Sequence, residues 1–169
     1  MISLKTRFRK SCLDKLAEID AKAKLEAGTI VAKAILPVIH DKLAPQQGVA
    51  VFKSFSDEIS TEPLCELLRQ HHIKYFFPKT NPADYSMQFC DNDINDIAVM
   101  IVPGVAFDMR GNRLGRGQVY YDRFLASIPP KQIFTIGIGL DSQLFEEIPV
   151  DEHDQCMNMI RTPSFEIIL

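Results

Sequence analysis

The sequence predicts an α/β fold, with helices on both faces of a mainly parallel sheet. Short apolar stretches alternate along the chain with longer segments whose apolar residues recur at helical spacing. The clearest short stretch, Ile97 to Val102, is nearly all aliphatic, which is typical of a strand covered on both faces. Because strands that alternate with helices are joined by right-handed crossovers, neighbouring strands should run parallel.

Helical spacing and capping residues indicate where the helices lie. Lys5 and Arg9 are four residues apart on the first helix and therefore share a face. Pro37 should kink or divide the second helix, and Ser60 or Thr61 should cap the third. The predicted helices run from about Ser3 to Ile19, Ala27 to Leu43, Thr61 to His71 and Val119 to Ser127.

Short apolar stretches that end at turn residues mark the strands. Those before Pro78 and Pro103 stop where a proline follows the apolar run. The acidic stretch from Glu146 to Asp154 should be a loop. The predicted strands are Gly48 to Phe52, Ile73 to Phe77, Ile97 to Val102, Ile133 to Ile138 and an edge strand from Phe165 to Leu169.

Length and composition set further bounds. The 169 residues suit one domain, and we expect a single domain over residues 1–169. Apolar residues make up 46% and charged residues 24%, which excludes a disordered or collagen-like chain. The amino terminus lacks the apolar stretch of a signal peptide, and no apolar run approaches the roughly 18 residues of a membrane span. We therefore expect a cytoplasmic protein that makes no membrane contact.

The four cysteines, Cys12, Cys65, Cys90 and Cys156, lie far apart and form no CxxC pair. This spacing favours reduced thiols in the core over a disulfide framework or a metal site. A chain of this length needs neither a disulfide nor a metal to fold.

Charge is unevenly distributed. The net charge is −3, yet residues 1–24 carry seven Lys and Arg against three Asp and Glu. The first helix is therefore a cationic patch on an acidic body, and such a patch is most often solvated surface. The sequence pI of about 5.8 makes nucleic acid a poor partner, and no stacking aromatics lie beside the patch to favour RNA. A small polyanion suits the patch better.

In parallel α/β folds, ligands bind beyond the carboxyl ends of the strands. That rule selects the loop after Phe52, the turn at Pro78 and Lys79, and the loop after Val102. The last of these loops opens the sequence VPGVAFDMRGNRLGRGQVYYDRFL, which is rich in glycine.

This glycine-rich sequence has the composition of a phosphate-binding turn. Its glycines permit tight turns, and backbone N–H groups at the start of the following helix can bind phosphate. Arg113 and Arg116 add guanidinium groups, which bond phosphate oxygens in pairs. Asp122 in the first helical turn can cap the helix or hold Mg²⁺. On composition alone, a glycine-rich surface loop with a capping Asp is an equal alternative.

In residue order, the sequence resembles the motif of the 5-formyltetrahydrofolate cyclo-ligase family, also called methenyltetrahydrofolate synthetase. That motif reads roughly VPGLAFDxxGxRLGxGxGYYDRFL, and nearly every fixed position is met here. Three further matches follow the family's order: Lys5-x-x-Phe8-Arg9 is similar to KxxLR, Glu58-x-x-Thr61 to ExxT, and Pro149, His153 and Asp154 to a Pro and a His-Asp near the carboxyl terminus.

The resemblance implies a fold, a reaction and cofactors. Family members are similar to the sugar-isomerase and CoA-transferase sandwiches, and they use ATP and Mg²⁺ to convert 5-formyltetrahydrofolate into 5,10-methenyltetrahydrofolate. The implied chemistry is phosphorylation of the formyl oxygen by the γ-phosphate of ATP, followed by attack of N10 and loss of phosphate. No protein nucleophile is required, so catalysis would rest on positioning and charge neutralisation. We also expect a monomer.

The matching positions imply the roles of individual residues. Arg116 would stabilise charge on the transferring phosphoryl group as the catalytic residue. The implied ATP-binding residues are Lys5, Arg9, Arg113, Leu114, Gly115, Arg116, Gly117, Gln118, Val119, Tyr120 and Tyr121.

The same resemblance implies folate and metal contacts. Glu58 would accept hydrogen bonds from the pterin ring, and Arg116 and Tyr120 would also meet the folate. Asp122 and Asp154 would ligate Mg²⁺.

Two departures from the family leave alternatives open. Val119 replaces the last Gly of the family's GxGxG run, where a positive φ or a close approach to phosphate would strain a β-branched residue. From Tyr85 to Asp96 nothing resembles the family's Gly-Ile-x-Glu-Pro element. A non-catalytic relative that binds nucleotide or folate is therefore the chief alternative. An isomerase or acyl transferase would instead use Glu58 or Asp108 as base or nucleophile.

Overall fold

The computed structural model describes residues 3–89 and 93–169 of the chain. The helices there are α1 (Leu4–Glu18), α2 (Ala21–Lys42), α3 (Glu62–Gln70) and α4 (Tyr120–Ala126). The strands are β1 (Gly48–Ala50), β2 (Tyr75–Phe76), β3 (Lys79–Asn81), β4 (Ser86–Gln88), β5 (Ile97–Pro103), β6 (Ala106–Asp108), β7 (Arg113–Leu114), β8 (Phe134–Ile138), β9 (Leu144–Phe145), β10 (Met159–Arg161) and β11 (Glu166–Ile168).

The main sheet has six strands in the order β11-β10-β8-β5-β1-β2. Its strands pair in parallel, except that β11 runs antiparallel to β10 at one edge. This arrangement confirms the predicted mainly parallel sheet and the predicted last edge strand. The strand β5 lies in the middle and is buried from Ile97 to Val102, because strands pair with both of its sides.

Helices cover both faces of this sheet, as the alternation of side chains along β5 shows. Val99 and Ile101 pack in the cluster that includes residues of α2 and α3. Met100 and Val102 point the other way and pack with Phe124 of α4 and with Met87 of β4. Burial on both faces explains why β5 reads as a continuous aliphatic run rather than as an alternating pattern.

A second, three-stranded sheet, β7-β6-β9, carries the glycine-rich sequence away from the main sheet. The strands β6 and β7 form a hairpin, and α1 packs against it through a small cluster of buried apolar residues. Cys12 of α1 meets Val105 and Leu114 in this cluster. The first helix is therefore fixed beside the predicted phosphate-binding turn.

The structure corrects two predictions about α2. The helix begins at Ala21 rather than near Ala27, because Asp20 accepts a hydrogen bond from the backbone N–H of Ala23 at 2.7 Å and caps it. Pro37 lies inside the helix and does not divide it.

Several strands were missing from the prediction: β3, β4, β6, β7, β9 and β10. Each has only two or three residues. A run that short shows no alternation of apolar and polar residues from which a strand could be predicted.

The cysteines are free among the described residues, but they are not all in the core. Cys12 is buried as predicted, whereas Cys156 is exposed, so its assignment to the core was wrong. Burial raises the pKa of the Cys65 thiol to about 11, so this thiol is protonated at neutral pH. Cys90 lies outside the described residues. None of the helices in the described ranges is long and apolar enough to cross a membrane.

Gly28 lets α2 approach the loop that precedes α3. A Cβ at residue 28 would lie 2.2 Å from the carbonyl oxygen of Ser60, which is backbone and cannot rotate away. Helix propensity alone favours Ala over Gly by about 1 kcal/mol. The close contact reverses that preference.

We expect Gly28→Ala to lower the free energy of unfolding by about 1–3 kcal/mol, because the added methyl overpacks a tight contact. Denaturant unfolding measures the change. The control is Thr29→Ala at the next position, where the helix gains propensity without a clash and stability should change by less than about 0.5 kcal/mol. A Gly28→Ala protein as stable as the parent would contradict the prediction.

Candidate active site

The site forms where α1 meets three loops at the carboxyl ends of the strands. These are the β1–α3 loop (residues 51–61), the glycine-rich segment (residues 103–122) and the acidic loop (residues 146–154). Hydrogen bonds and ion pairs between these elements, made by side chains with side-chain or backbone partners, hold them together. The loops after Phe52 and Val102, which the sequence predicts as site elements, are therefore neighbours.

Asp108 anchors the base of the glycine-rich segment. Its carboxylate is fully buried and accepts hydrogen bonds from the backbone N–H groups of Arg110 and Asn112 at 2.9 and 3.0 Å. The other oxygen accepts from the side chain of Asn112 and from the N–H of Ile148 in the acidic loop. Since both oxygens are engaged and shielded from solvent, Asp108 is a structural anchor and not an available base.

Arg113 joins the hairpin to α4. Its side chain is buried, and its guanidinium donates to Asp122 at 2.6 Å and to the carbonyl of Pro103 at 3.1 Å. The same group lies over the ring of Tyr121 at 5.6 Å from the ring centroid. Burial raises the pKa of the Tyr121 hydroxyl, which keeps it uncharged. Arg113 and Tyr121 thus form the packed floor of the segment.

The tip of the segment, residues 116–119, is exposed and turns through left-handed backbone. Gly117 has φ 100° and Val119 has φ 51°. The guanidinium of Arg9 lies beside Gly117, where a Cβ would be 3.6 Å from Cζ of Arg9. The first helix and the tip are therefore in direct contact.

Arg116 links the tip to the β1–α3 loop. Its Nε donates to Glu58 at 3.1 Å, and an Nη atom donates to Asp57 at 2.5 Å. The guanidinium also lies over the exposed ring of Phe55, 5.1 Å from the centroid. Burial opposes the charged form of Arg116, but hydrogen bonds to Asp57 and the charge of Glu58 outweigh it and raise the pKa. Arg116 is therefore a cation held between two carboxylates.

Glu58 is itself fixed in place. Its side chain is only 7% exposed, and its second oxygen accepts from the backbone N–H of Phe55 at 2.8 Å. Asp57, the more exposed partner of Arg116, has 24% of its side chain in solvent. The two carboxylates thus differ in how readily another anion could replace them.

The cationic face of α1 points into the site. Arg9 donates from Nε to the carbonyl of Gly115 at 2.7 Å. Lys5 forms ion pairs with Asp151, at 2.8 Å, and with Asp154. Only 16% of the Lys5 side chain is exposed, so this part of the patch is a wall of the site and not solvated surface.

This chain is similar to known proteins in sequence and in fold. Residues 90–163 match the sequence profile of the 5-formyltetrahydrofolate cyclo-ligase family. The 5-formyltetrahydrofolate cyclo-ligase of Escherichia coli K12 is 32% identical over 141 residues, which cover 69% of this chain and 78% of that protein. The chain belongs to the 5-formyltetrahydrofolate cyclo-ligase family. The mouse enzyme of that name is 25% identical, with 90% of each chain covered.

The fold agrees with this membership. A solved structure of a 5,10-methenyltetrahydrofolate synthetase from Mycoplasma pneumoniae superposes with a TM-score of 0.82. The superposition covers 96% of this chain and 100% of that one, at 23% sequence identity. The α/β fold with a mainly parallel sheet is thus shared with the cyclo-ligase family.

The two aspartates that the sequence predicts as magnesium ligands, Asp122 and Asp154, lie on neighbouring parts of the site. Asp122 accepts a hydrogen bond from the backbone N–H of Gln155 at 3.2 Å. Gln155 directly follows Asp154, so this bond brings Asp122 next to that part of the acidic loop. Each Asp122 oxygen accepts one hydrogen bond, so each keeps a lone pair. Across residues 3–89 and 93–169 no three acidic, His or Cys side chains form a metal cluster. Two carboxylates without a third protein ligand suit Mg²⁺, which is commonly held by one or two carboxylates plus phosphate oxygens and water.

The remaining predicted residues divide between the floor and the surface of the site. The side chain of Leu114 is fully buried, so only its backbone is available to a ligand. Tyr120 is partly buried, and its ring lies 6.0 Å from that of Tyr85 in the β3–β4 hairpin. Lys79, which the sequence places in a turn after Pro78, is the first residue of β3 in this hairpin. Gln118 is exposed, and His153 is a surface residue paired with Glu152.

Three residues of the site were not predicted: Phe55, Asp57 and Asp151. Asp57 precedes Glu58 in a loop that follows a buried strand, so the carboxyl-end rule could have found it. Phe55 carries no motif, and only its contact with Arg116 marks it. In the sequence Asp151 is one of several acidic residues in the acidic loop, and its ion pair with Lys5 is what marks it as part of the site.

Val119 stands where the family motif has Gly, and the backbone there explains the family residue. Val119 precedes α4 with φ 51° and ψ 14°, the left-handed region that disfavours β-branched side chains. Its side chain lies at the surface, 48% exposed, rather than in the packed floor. The valine therefore strains the backbone at the start of α4.

We expect Val119→Gly to raise the free energy of unfolding by about 1 kcal/mol, since relief of left-handed strain exceeds the added entropy of the unfolded chain. Urea unfolding measures it. Val150→Gly is the matched control, because Val150 has the same exposure of 48% but no positive φ. That control should lose about 0.5–1 kcal/mol. Equal losses in the two variants would show that Val119 is unstrained.

Proposed function

We propose that this protein is a 5-formyltetrahydrofolate cyclo-ligase that uses ATP and Mg²⁺ to form 5,10-methenyltetrahydrofolate, ADP and phosphate. The observation that carries the proposal is Arg116, held between Asp57 and Glu58 at the tip of the glycine-rich segment. A guanidinium fixed at the carboxyl ends of the strands, among further cations, is suited to phosphoryl transfer.

The reaction needs no covalent bond to the protein. The formyl oxygen of the substrate takes the γ-phosphoryl group from ATP, and ADP leaves. N10 of the folate then attacks the activated formyl carbon, phosphate departs with the former formyl oxygen, and N10 loses its proton. The protein has to bind both substrates in line and neutralise phosphate charge, which the paired guanidinium and ammonium groups are placed to do.

Lys5, Arg9 and the segment from Arg113 to Tyr121 form the proposed ATP site. Lys5 and Arg9 enter the site from α1. Arg9 lies against Gly115 and Gly117, the two residues that flank Arg116 in the sequence. Buried Arg113 supports the turn from below. Phosphate oxygens would replace Asp57 as the partner of Arg116, because Asp57 is the more exposed of the two carboxylates.

Asp122 and Asp154 are the proposed magnesium ligands. Mg²⁺ held by these carboxylates would neutralise part of the phosphate charge. In the described structure Asp154 pairs with Lys5, and Asp122 pairs with Arg113.

The proposed folate contacts are Glu58, Arg116 and Tyr120. Glu58 offers carboxylate oxygens to the N–H groups of the pterin ring. The exposed ring of Phe55 lies beside it and adds an apolar surface. The monomeric state, the cytoplasmic location and a single domain over residues 1–169 stay predictions.

We expect the purified protein to form methenyl product from 5-formyltetrahydrofolate only when ATP and Mg²⁺ are both present. Absorbance of the methenyl group measures the reaction, and omission of each component in turn is the control. If nucleotide binds by calorimetry but no product forms at high protein concentration, the chain is a non-catalytic relative.

Replacing Arg116 with Ala should lower kcat by about 100- to 1,000-fold, the usual effect of removing one donor to transition-state charge. Steady-state kinetics measure the loss, and circular dichroism confirms folding. Arg110→Ala is the matched control, because Arg110 lies in the same segment but pairs with exposed Glu147. Parental rates in the Arg116→Ala variant would mean that its catalytic role is misassigned.

A further inference from the structure

Lys24 is a buried cation with no acidic partner among the described residues. It lies on α2 and is only 5% exposed. Its ammonium donates to the backbone carbonyl of Ser56 at 2.9 Å, and in the described ranges it forms no ion pair. Burying a charge without a counter-charge is unfavourable for stability. The stability of the fold therefore does not explain this residue.

Its acceptor, Ser56, lies in the β1–α3 loop directly before Asp57 and Glu58. A second hydrogen bond joins α2 to the β1–α3 loop on the other side of Asp57 and Glu58. In it the backbone N–H of Ser60 donates to the carbonyl of Lys24 at 3.3 Å. Gly28 lets α2 approach closely enough for this contact. The helix therefore holds the loop on both sides of the two carboxylates.

Most other hydrogen bonds of the loop lie within it or join it to Arg116. Within it, the N–H of Glu58 donates to the carbonyl of Phe55 at 3.1 Å, and Thr61 donates to Phe52 at 2.9 Å. These bonds shape the loop but do not connect it to a helix beneath. The bond from Lys24 supplies that connection at Ser56, next to the carboxylates that hold Arg116.

We infer that Lys24 is a positioning residue for Arg116. Its ammonium fixes the carbonyl of Ser56, which sets the places of Asp57 and Glu58, and these carboxylates orient the guanidinium. The inference rests on the proposed function for its kinetic consequence, although the positioning itself is a property of the ligand-free protein. A displacement of about 1 Å in such a group costs up to about 100-fold in rate.

Kinetics of Lys24→Met test this role. We expect kcat to fall about 10- to 100-fold, while the KM for ATP changes less than about threefold, because Lys5 and Arg9 bind from a different helix. Lys24→Arg keeps a charged donor and should recover at least about a third of the parental rate. Lys22→Met is the matched control, since Lys22 lies on the same helix, is exposed and pairs with exposed Glu26.

A double-mutant cycle separates positioning from a general structural effect. In an Arg116→Ala background, Lys24→Met should lower kcat by less than about twofold, because both substitutions act through one guanidinium. A full additional loss would overturn the inference. So would a Lys24→Met protein with the kinetics of Lys22→Met.

Hydrogen exchange gives a readout that does not depend on turnover. In Lys24→Met, amides of residues 53–61 should exchange about tenfold faster, while those of β5 stay as protected as in the parent. If the parental protein makes no methenyl product, the proposed function fails, but this exchange result still decides whether Lys24 holds the loop. Lys24→Gln replaces the methionine variant should that variant not fold. Unchanged exchange in residues 53–61 would contradict the inference.

Discussion

Ion pairs between distant parts of the chain hold this site in shape. Arg116 joins the glycine-rich segment to Glu58 and Asp57, and Lys5 joins the first helix to Asp154 near the carboxyl terminus. Arg113 and Asp122 form a nearly buried pair beneath them. Removing either member of such a pair leaves an uncompensated charge, so the pairs fix relative positions even where they add little net stability. The loops depend on these pairs because they have little regular structure of their own.

These ion pairs also determine how a polyanion could bind at the site. In the described structure the site is not an open cationic cradle, because each cation faces a carboxylate or a carbonyl. Under the proposed function, nucleotide phosphates would replace a carboxylate at Arg116, and the acids that now pair with Lys5 and Arg113 would hold magnesium. Exchanging one anion for another at Arg116 would keep the local charge balance.

The tip of the glycine-rich segment combines order with strain. Asp108 fixes its base through four hydrogen bonds, and Arg113 fixes its floor. On this rigid base the chain adopts left-handed backbone at Gly117 and Val119. Strained residues persist where the surroundings determine the backbone more strongly than the residue itself, and such residues concentrate at functional sites. The valine at position 119 fits this pattern, because the fold imposes a conformation that glycine would adopt freely.

The sequence by itself determined the class of fold, the central strands, the first helix and the motif that places the chain in its family. Long apolar runs and helical spacing are local properties, so they can be read from neighbouring residues. The early start of α2 and six of the strands of two or three residues were missed, because a single cap or a distant partner decides them.

The tertiary structure alone decided which charges meet. Nothing in the spacing of residues 57, 58 and 116 shows that one guanidinium joins them, since an ion pair between residues 58 or 59 positions apart depends on how the strands are ordered in the sheet. The same holds for Asp108, whose burial made it an anchor instead of a base, and for Lys24, whose role follows from the carbonyl above it. Sequence gives the chemistry of a side chain, but its partners depend on contacts between residues far apart in the chain.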